Sequence, residues 1–305
     1  METRGIVGMQ HHQDRFFGAD GLSLYYQCWR PLTSAKAVMV IVHGLGGHSD
    51  LFSHVVDYFV PRDYVVYALD LRGHGRSAGQ RGHIFAWQEF RDDLRLFLHC
   101  IRQQEALHLP LFLYGHSLGA LISLDYLLQE PGAANGAIAS APPLGDVGVS
   151  PLRLSIGRLL SWIWPRFSLG TGLEPEIGSR DATVNHAYET DPLRHGRGTA
   201  RLATEFLATV ERLHAQASKL AVPLLILQGG EDKIAFPEGS RRFFANVAGS
   251  DKTLQEYPDA YHELHEDLNY LEVLQDVENW LDRHLSSLQR DNQVYNAPKP
   301  LESLG

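Results

Sequence analysis

The sequence predicts an α/β fold: a mostly parallel central sheet with helices on both faces and a helical cap inserted late in the chain. Three observations predict it. Apolar runs recur along the chain without polar alternation, as strands buried on both faces require. Helix-like stretches with apolar residues three and four apart lie between them. The stretch from Pro142 to Lys219 then carries no strong strand and is too long for a plain connection.

The elements follow in order. Gly21–Trp29 is rich in β-formers, ends at Pro31 and reads as a strand or hairpin arm. Val38–Val42 stops at His43-Gly44, and Tyr64–Leu69 stops at Asp70. Phe85–Glu105 places Phe90, Leu94, Phe97, Leu98 and Ile101 on one helical face. Leu111–Tyr114 stops at Gly115, and a helix follows directly over Leu118–Gln129. Gly136–Ala141 is a weaker strand, Leu224–Leu227 a strong one and Leu254–Tyr257 a short one. Leu271–Leu288 reads as the closing helix. Alternating strands and helices predict right-handed crossovers. The chain therefore divides into a core over residues 1–141 and 220–288, a cap over 142–219, and a polar tail over 289–305 expected to lack order.

A chain of 305 residues could hold two domains or one large α/β domain. Apolar types make up 44% and charged types 21%, which excludes a mainly disordered chain. The net charge of −9 does not suit a protein that tracks nucleic-acid phosphates. Two cysteines, Cys28 and Cys100, cannot build a disulfide framework or a cysteine-based zinc site, and read as buried free thiols in a reducing compartment. Met1–Arg15 has no apolar signal region, and no apolar run approaches the ~18 residues a membrane-spanning helix needs. A cytoplasmic location is expected.

The chemistry is concentrated in a few segments. Gly115-His116-Ser117-Leu118-Gly119 matches G-x-S-x-G between an apolar strand and a helix. Such a turn lifts the Ser117 hydroxyl off the sheet and leaves it at a helix N-terminus, which makes Ser117 the candidate nucleophile. His43-Gly44-Leu45-Gly46-Gly47 ends an earlier strand in a turn that exposes backbone. Two N–H donors must meet the carbonyl oxygen as it becomes tetrahedral, and Leu45 and Leu118 are the candidates.

A serine nucleophile needs a base, and the base needs a group that fixes its tautomer. After Leu224–Leu227 the loop offers Glu231 and Asp232, and Asp232 is favoured as the residue further into the loop. Tyr261-His262-Glu263-Leu264-His265-Glu266 offers two histidines. His262, first after the Pro258-Asp259-Ala260 turn, is favoured, with His265 placed on the following helix. H-E-L-H lacks the H-E-x-x-H spacing of zinc proteases, so no metal is expected. His48, His54, His74 and His83 read as loop or surface residues.

At this point the residues resemble the monoacylglycerol lipase and lysophospholipase branch of the α/β-hydrolase fold. The likeness runs from Gly21-Leu22, Tyr25 and Trp29-Arg30-Pro31 through Ile41–Ser49, Ala68–Ser77 and Gln80-Arg81-Gly82. It continues over Gly115–Gly119, Gly230-Glu231-Asp232 and Ala260–Leu264. The run Arg72–Ser77 is common to the wider fold and read as structural. The resemblance implies a Ser117–Asp232–His262 triad, an oxyanion hole at Leu45 and Leu118, no cofactor, and hydrolysis of monoacylglycerols or related lipid esters. Lysophospholipids and short-chain esters stay open as substrates, as does a ligand-binding relative without turnover. No cap segment shares the likeness.

The cap opens on Ser150–Phe167. Leu152, Ile156, Leu159 and Ile163 form one stripe, widened by Leu160, Trp162 and Trp164, with Arg153, Arg158 and Arg166 as its charges. Leu159, Trp162, Ile163 and Trp164 are candidates for contact with a membrane or micelle. The alternative is an amphipathic helix packed on the core. Thr199–Leu213, with Leu202, Phe206, Val210 and Leu213 on one face, reads as the other side of the cap.

Overall fold

The computed structural model describes residues 8–145, 151–172 and 178–295. Its sheet has eight strands: β1 (Met9–Phe17), β2 (Ser23–Pro31), β3 (Ala37–Val42), β4 (Tyr64–Leu69), β5 (Leu111–His116), β6 (Gly136–Ser140), β9 (Leu224–Gly229) and β10 (Lys252–Tyr257). Their spatial order is β1-β2-β4-β3-β5-β6-β9-β10. β1 pairs with β2, and β2 with β4, in antiparallel fashion, and every other neighbour pair is parallel.

The unbroken apolar runs are explained by β3. Val38, Val40 and Val42 enter one core with α2 (Gln88–Gln104) and α3 (Leu118–Gln129). Ala37, Met39 and Ile41 enter the other with α1 (Ser53–Phe59) and α8 (Tyr270–Tyr295). Successive side chains point to opposite faces, and both faces are covered, so no position in β3 tolerates water. The helix α7 (Pro237–Asn246) connects β9 to β10.

Several elements escape the sequence reading. β1 is polar along nearly its whole length and buries Phe16 alone among its residues, because it is an edge strand with little to hide. The hairpin arm expected near Gly21 is thus β2, with β1 as its partner. α1 has only seven residues, too few for a helical period to register. α8 runs on to Tyr295 rather than ending at Leu288, so the helix enters the expected tail. Residues 296–305 lie outside those described.

Between β6 and β9 stand α4 (Pro151–Ile163), β7 (Ser168–Gly170), α5 (Ala182–Thr190), β8 (Arg197–Thr199) and α6 (Ala200–Gln216). β7 and β8 pair as a three-residue antiparallel ladder, a length at which no period is readable. α6 anchors the insertion through buried Leu202, Val210 and Leu213. It is also pinned by Arg212, whose Nε lies 2.8 Å from Asp125 on α3, while Arg91 of α2 takes the other carboxylate oxygen at 3.1 Å.

α4 does not bury its apolar stripe in the core. Ile156, Leu159, Ile163 and Trp164 are exposed, and Trp162 is 78% exposed. Leu152 and Arg153 lie outside the described side chains. Cys28 is buried, whereas Cys100 is only partly so, and both are free thiols. Among the described residues no helix is long and apolar enough to cross a membrane.

Candidate active site

Ser117 sits between the end of β5 and the start of α3 with φ 51° and ψ −120°. This is a left-handed, strained conformation for a residue with a side chain. The flanking glycines are steric requirements. A Cβ on Gly115 would stand 2.6 Å from Ala120 Cα, and one on Gly119 would stand 1.9 Å from the Val42 carbonyl oxygen. The Ser117 N–H donates to the Ser140 carbonyl at 2.9 Å, which ties the turn to β6.

Leu118 is the first residue of α3, so its N–H has no carbonyl four residues back to bond and stands at the positive end of the helix. The loop after β3 brings Leu45 to the same place. His43 fixes that loop from below: Nε2 accepts the Leu71 N–H at 2.9 Å, which leaves Nδ1 to donate to the Gly44 carbonyl at 2.7 Å. The insertion fixes it from above, where the His195 N–H donates to the Gly46 carbonyl at 3.2 Å. Leu45, Ser117 and Leu118 line one cavity.

Asp232 lies in the loop after β9 and is buried. Its Oδ1 accepts the N–H groups of Ile234 and Ala235, both at 2.8 Å. Its Oδ2 lies 2.8 Å from His262 Nδ1 and 3.3 Å from Gln228 Nε2. Glu231 points to solvent. The loops carrying Asp232 and His262 interlock, since a Cβ on Gly229 would meet the Tyr261 carbonyl at 2.2 Å. Burial opposes a charge on His262, but the Asp232 carboxylate beside it prevails and raises its pKa above the ordinary imidazole value. With Nδ1 committed to Asp232, Nε2 is the atom left to act as base. His262 and Ser117 line the same small polar chamber.

His265 lies in a turn before α8, not on the helix, and stacks flat on Phe52 with ring centroids 4.3 Å apart. Burial, reinforced by the neighbouring His116, lowers its pKa to about 3. Nothing in the sequence assigns a role to His116 or Glu263. They form a pair, His116 Nε2 to Glu263 Oε2 at 2.9 Å. Among the described residues, His116, Glu263 and His265 are the one set of three potential metal ligands whose atoms lie within 4.8 Å of one another. His48, His74 and His83 are buried rather than exposed. His48 Nε2 lies 2.7 Å from Asp191 of the insertion, and His74 Nδ1 lies 2.9 Å from the Arg72 carbonyl. Tyr188 and Arg194 also line the polar chamber. They sit in the insertion, where no periodic signal singles them out.

Two chambers meet at Ser117. One is an apolar cavity of about 580 Å³, lined by Leu45, Ile156, Leu160, Leu202, Phe206 and Ile234 among others. The other is the polar chamber of about 80 Å³, which includes Gly44, His116, Tyr188, Arg194 and Glu263. A serine hydroxyl beside a buried histidine–carboxylate pair and a helix N-terminus is an arrangement that acyl transfer can use.

Residues 33–269 match the family described as serine aminopeptidase, S33. The chain is 33% identical to a monoacylglycerol lipase of Mycolicibacterium smegmatis, over 92% of this chain and all of that one. It superposes on the crystal structure of Paleococcus ferrophilus monoacylglycerol lipase with a TM-score of 0.77 and 31% identity, over 90% of this chain and 99% of that one. A soluble variant of Saccharomyces cerevisiae monoglyceride lipase shares the fold, with a TM-score of 0.81 at 23% identity over 93% and 98%. The strand order, the serine turn and these likenesses converge: the chain belongs to the serine aminopeptidase S33 family and is a monoglyceride lipase-like α/β-hydrolase.

Proposed function

We propose that the protein hydrolyses monoacylglycerols to glycerol and a fatty acid through an acyl-enzyme. The observation that carries this reading is the junction of a large apolar chamber and a small polar one at Ser117. An acyl chain matches the first and a small polar alcohol the second. Ser117 Oγ attacks the ester carbonyl while His262 Nε2 takes its proton and Asp232 holds the imidazole. The N–H groups of Leu45 and Leu118 receive the oxyanion, and removing one such donor costs about 3–4 kcal/mol of transition-state stabilisation. His262 returns the proton to the leaving glycerol oxygen, then activates the water that releases the fatty acid. No cofactor enters these steps.

The test is hydrolysis of 1-monooleoylglycerol beside p-nitrophenyl butyrate. A higher kcat/KM for the monoglyceride is expected. Cleavage of the short ester alone would keep the chemistry and move the substrate to small esters.

The outward apolar face of α4 supports a second part of the proposal, that residues 142–219 act as a cap that touches lipid. Leu159, Trp162 and Ile163 are exposed on it, exposed Trp164 follows its last residue, and Arg166 lies 5.1 Å from the Phe85 ring centroid nearby. Large aromatic and aliphatic side chains with basic neighbours favour a lipid–water interface. Replacing Trp162 and Trp164 together by alanine is expected to lower vesicle co-sedimentation several-fold and to slow turnover of aggregated lipid. Unchanged binding and turnover would remove this role.

A further inference from the structure

The polar chamber contains a cation, Arg194, that forms no ion pair with any described carboxylate. Arg194 lines it beside Ser117 and His262. Its Nη1 is buried and has no hydrogen-bond partner, and its guanidinium carbon lies 3.6 Å over the Tyr188 ring. The Tyr188 hydroxyl is also buried, with the Arg194 guanidinium as the charged group beside it. Among the described residues no carboxylate pairs with Arg194. Glu263 lines the same chamber, but its Oε2 is turned to His116 Nε2 at 2.9 Å and makes no ion pair with Arg194. A buried donor left unpaired costs free energy, and a guanidinium is shaped to grip a phosphate or carboxylate.

We propose that Arg194 and Tyr188 make this chamber a site for an anionic leaving group, so that acylglycerols whose glycerol carries a phosphate are substrates beside the neutral esters. The inference rests on the ester-hydrolase reading above and specifies its leaving group. The reaction is unchanged in its balance. The bond from Ser117 Oγ to the acyl carbon forms, the ester C–O bond breaks, and the proton held by His262 goes to the glycerol oxygen. Water then releases the fatty acid.

Size limits the group. The chamber beside Ser117 is small, about 80 Å³, and a phosphocholine is bulkier than a bare phosphate and would bring a second cation towards Arg194.

The experiment compares 1-oleoylglycerol, 1-oleoylglycerol 3-phosphate and 1-oleoylglycerol 3-phosphocholine with wild-type protein, Arg194→Met and Arg194→Lys. Wild-type protein should cleave the phosphate ester and discriminate against the phosphocholine. Arg194→Met should lower the ratio of kcat/KM for the phosphate ester to that for the neutral ester by at least ~10-fold, while Arg194→Lys keeps most of it. Taking the ratio within each preparation cancels any loss of folded protein. A ratio unmoved by Arg194→Met, or a wild-type protein that cleaves only the neutral ester, overturns the inference and leaves the monoacylglycerol reading standing. Failure on all three esters overturns both.

Discussion

Replacing Ser117 by alanine is expected to lower kcat on 1-monooleoylglycerol by at least ~10⁴-fold while the protein stays folded. The side chain lost is one oxygen in a pocket, and the anchoring bond from the Ser117 N–H to the Ser140 carbonyl survives the change. The left-handed backbone is strained for alanine as for serine, so the substitution adds little to a cost already present. Fatty-acid release, read beside the thermal unfolding midpoint, separates a lost nucleophile from a lost fold. A fluorophosphonate should label the wild-type protein and not the variant. Near-normal kcat in Ser117→Ala would remove Ser117 from the mechanism.

The positions of Ser117 and Asp232 are legible in the sequence for one physical reason, whereas His262 follows the half-buried edge strand β10 and is found from the turn after it. A parallel sheet buried on both faces writes each strand as an apolar run, so the residue just past each run lies at the carboxyl edge of the sheet. Val42, His116 and Gly229 end such strands. The chain order of nucleophile, acid and base then narrows the choice to a few residues. Glu231 and Asp232 are acids in the same loop and the sequence alone does not separate them; burial and the bond to His262 do. His265 is misplaced on a helix because Leu264 and the acids around it look helical, whereas the chain turns to seat the ring on Phe52.

The insertion is the least legible part. Its interior contacts are made by single residues from short loops, as when His195 bonds the Gly46 carbonyl or His48 reaches Asp191. Arg194 belongs to this class, and Tyr188 is the one buried residue of the short helix α5. Neither lies on a periodic face that faces the site, and their meaning comes from the chamber they line. The exposed stripe of α4 is the opposite case. Its apolar residues are plain in sequence, but whether they face the core or the solvent is decided by how α6 docks on α3.

The second large effect is expected at Asp232. Asp232→Asn keeps the size of the side chain and an oxygen to accept the N–H groups of Ile234 and Ala235, so the loop should hold its shape. The amide nitrogen then faces His262 Nδ1, where a carboxylate oxygen stood at 2.8 Å. An amide donor there favours the tautomer whose proton sits on Nε2, the atom that must take the proton from Ser117. The imidazolium formed during acyl transfer also loses its counter-charge. A fall in kcat of about 10⁴-fold is expected. The pH profile gives an independent reading. In the wild-type protein Asp232 outweighs burial and raises the His262 pKa, so the acid limb of kcat/KM, where His262 becomes protonated and stops acting as a base, lies above the ordinary imidazole range. Without that charge, burial governs, the His262 pKa drops, and the limb of the residual activity moves to lower pH. Glu231 points to solvent and offers no substitute. A variant with kcat within tenfold of wild type and an unmoved acid limb would show that Asp232 does not orient the base.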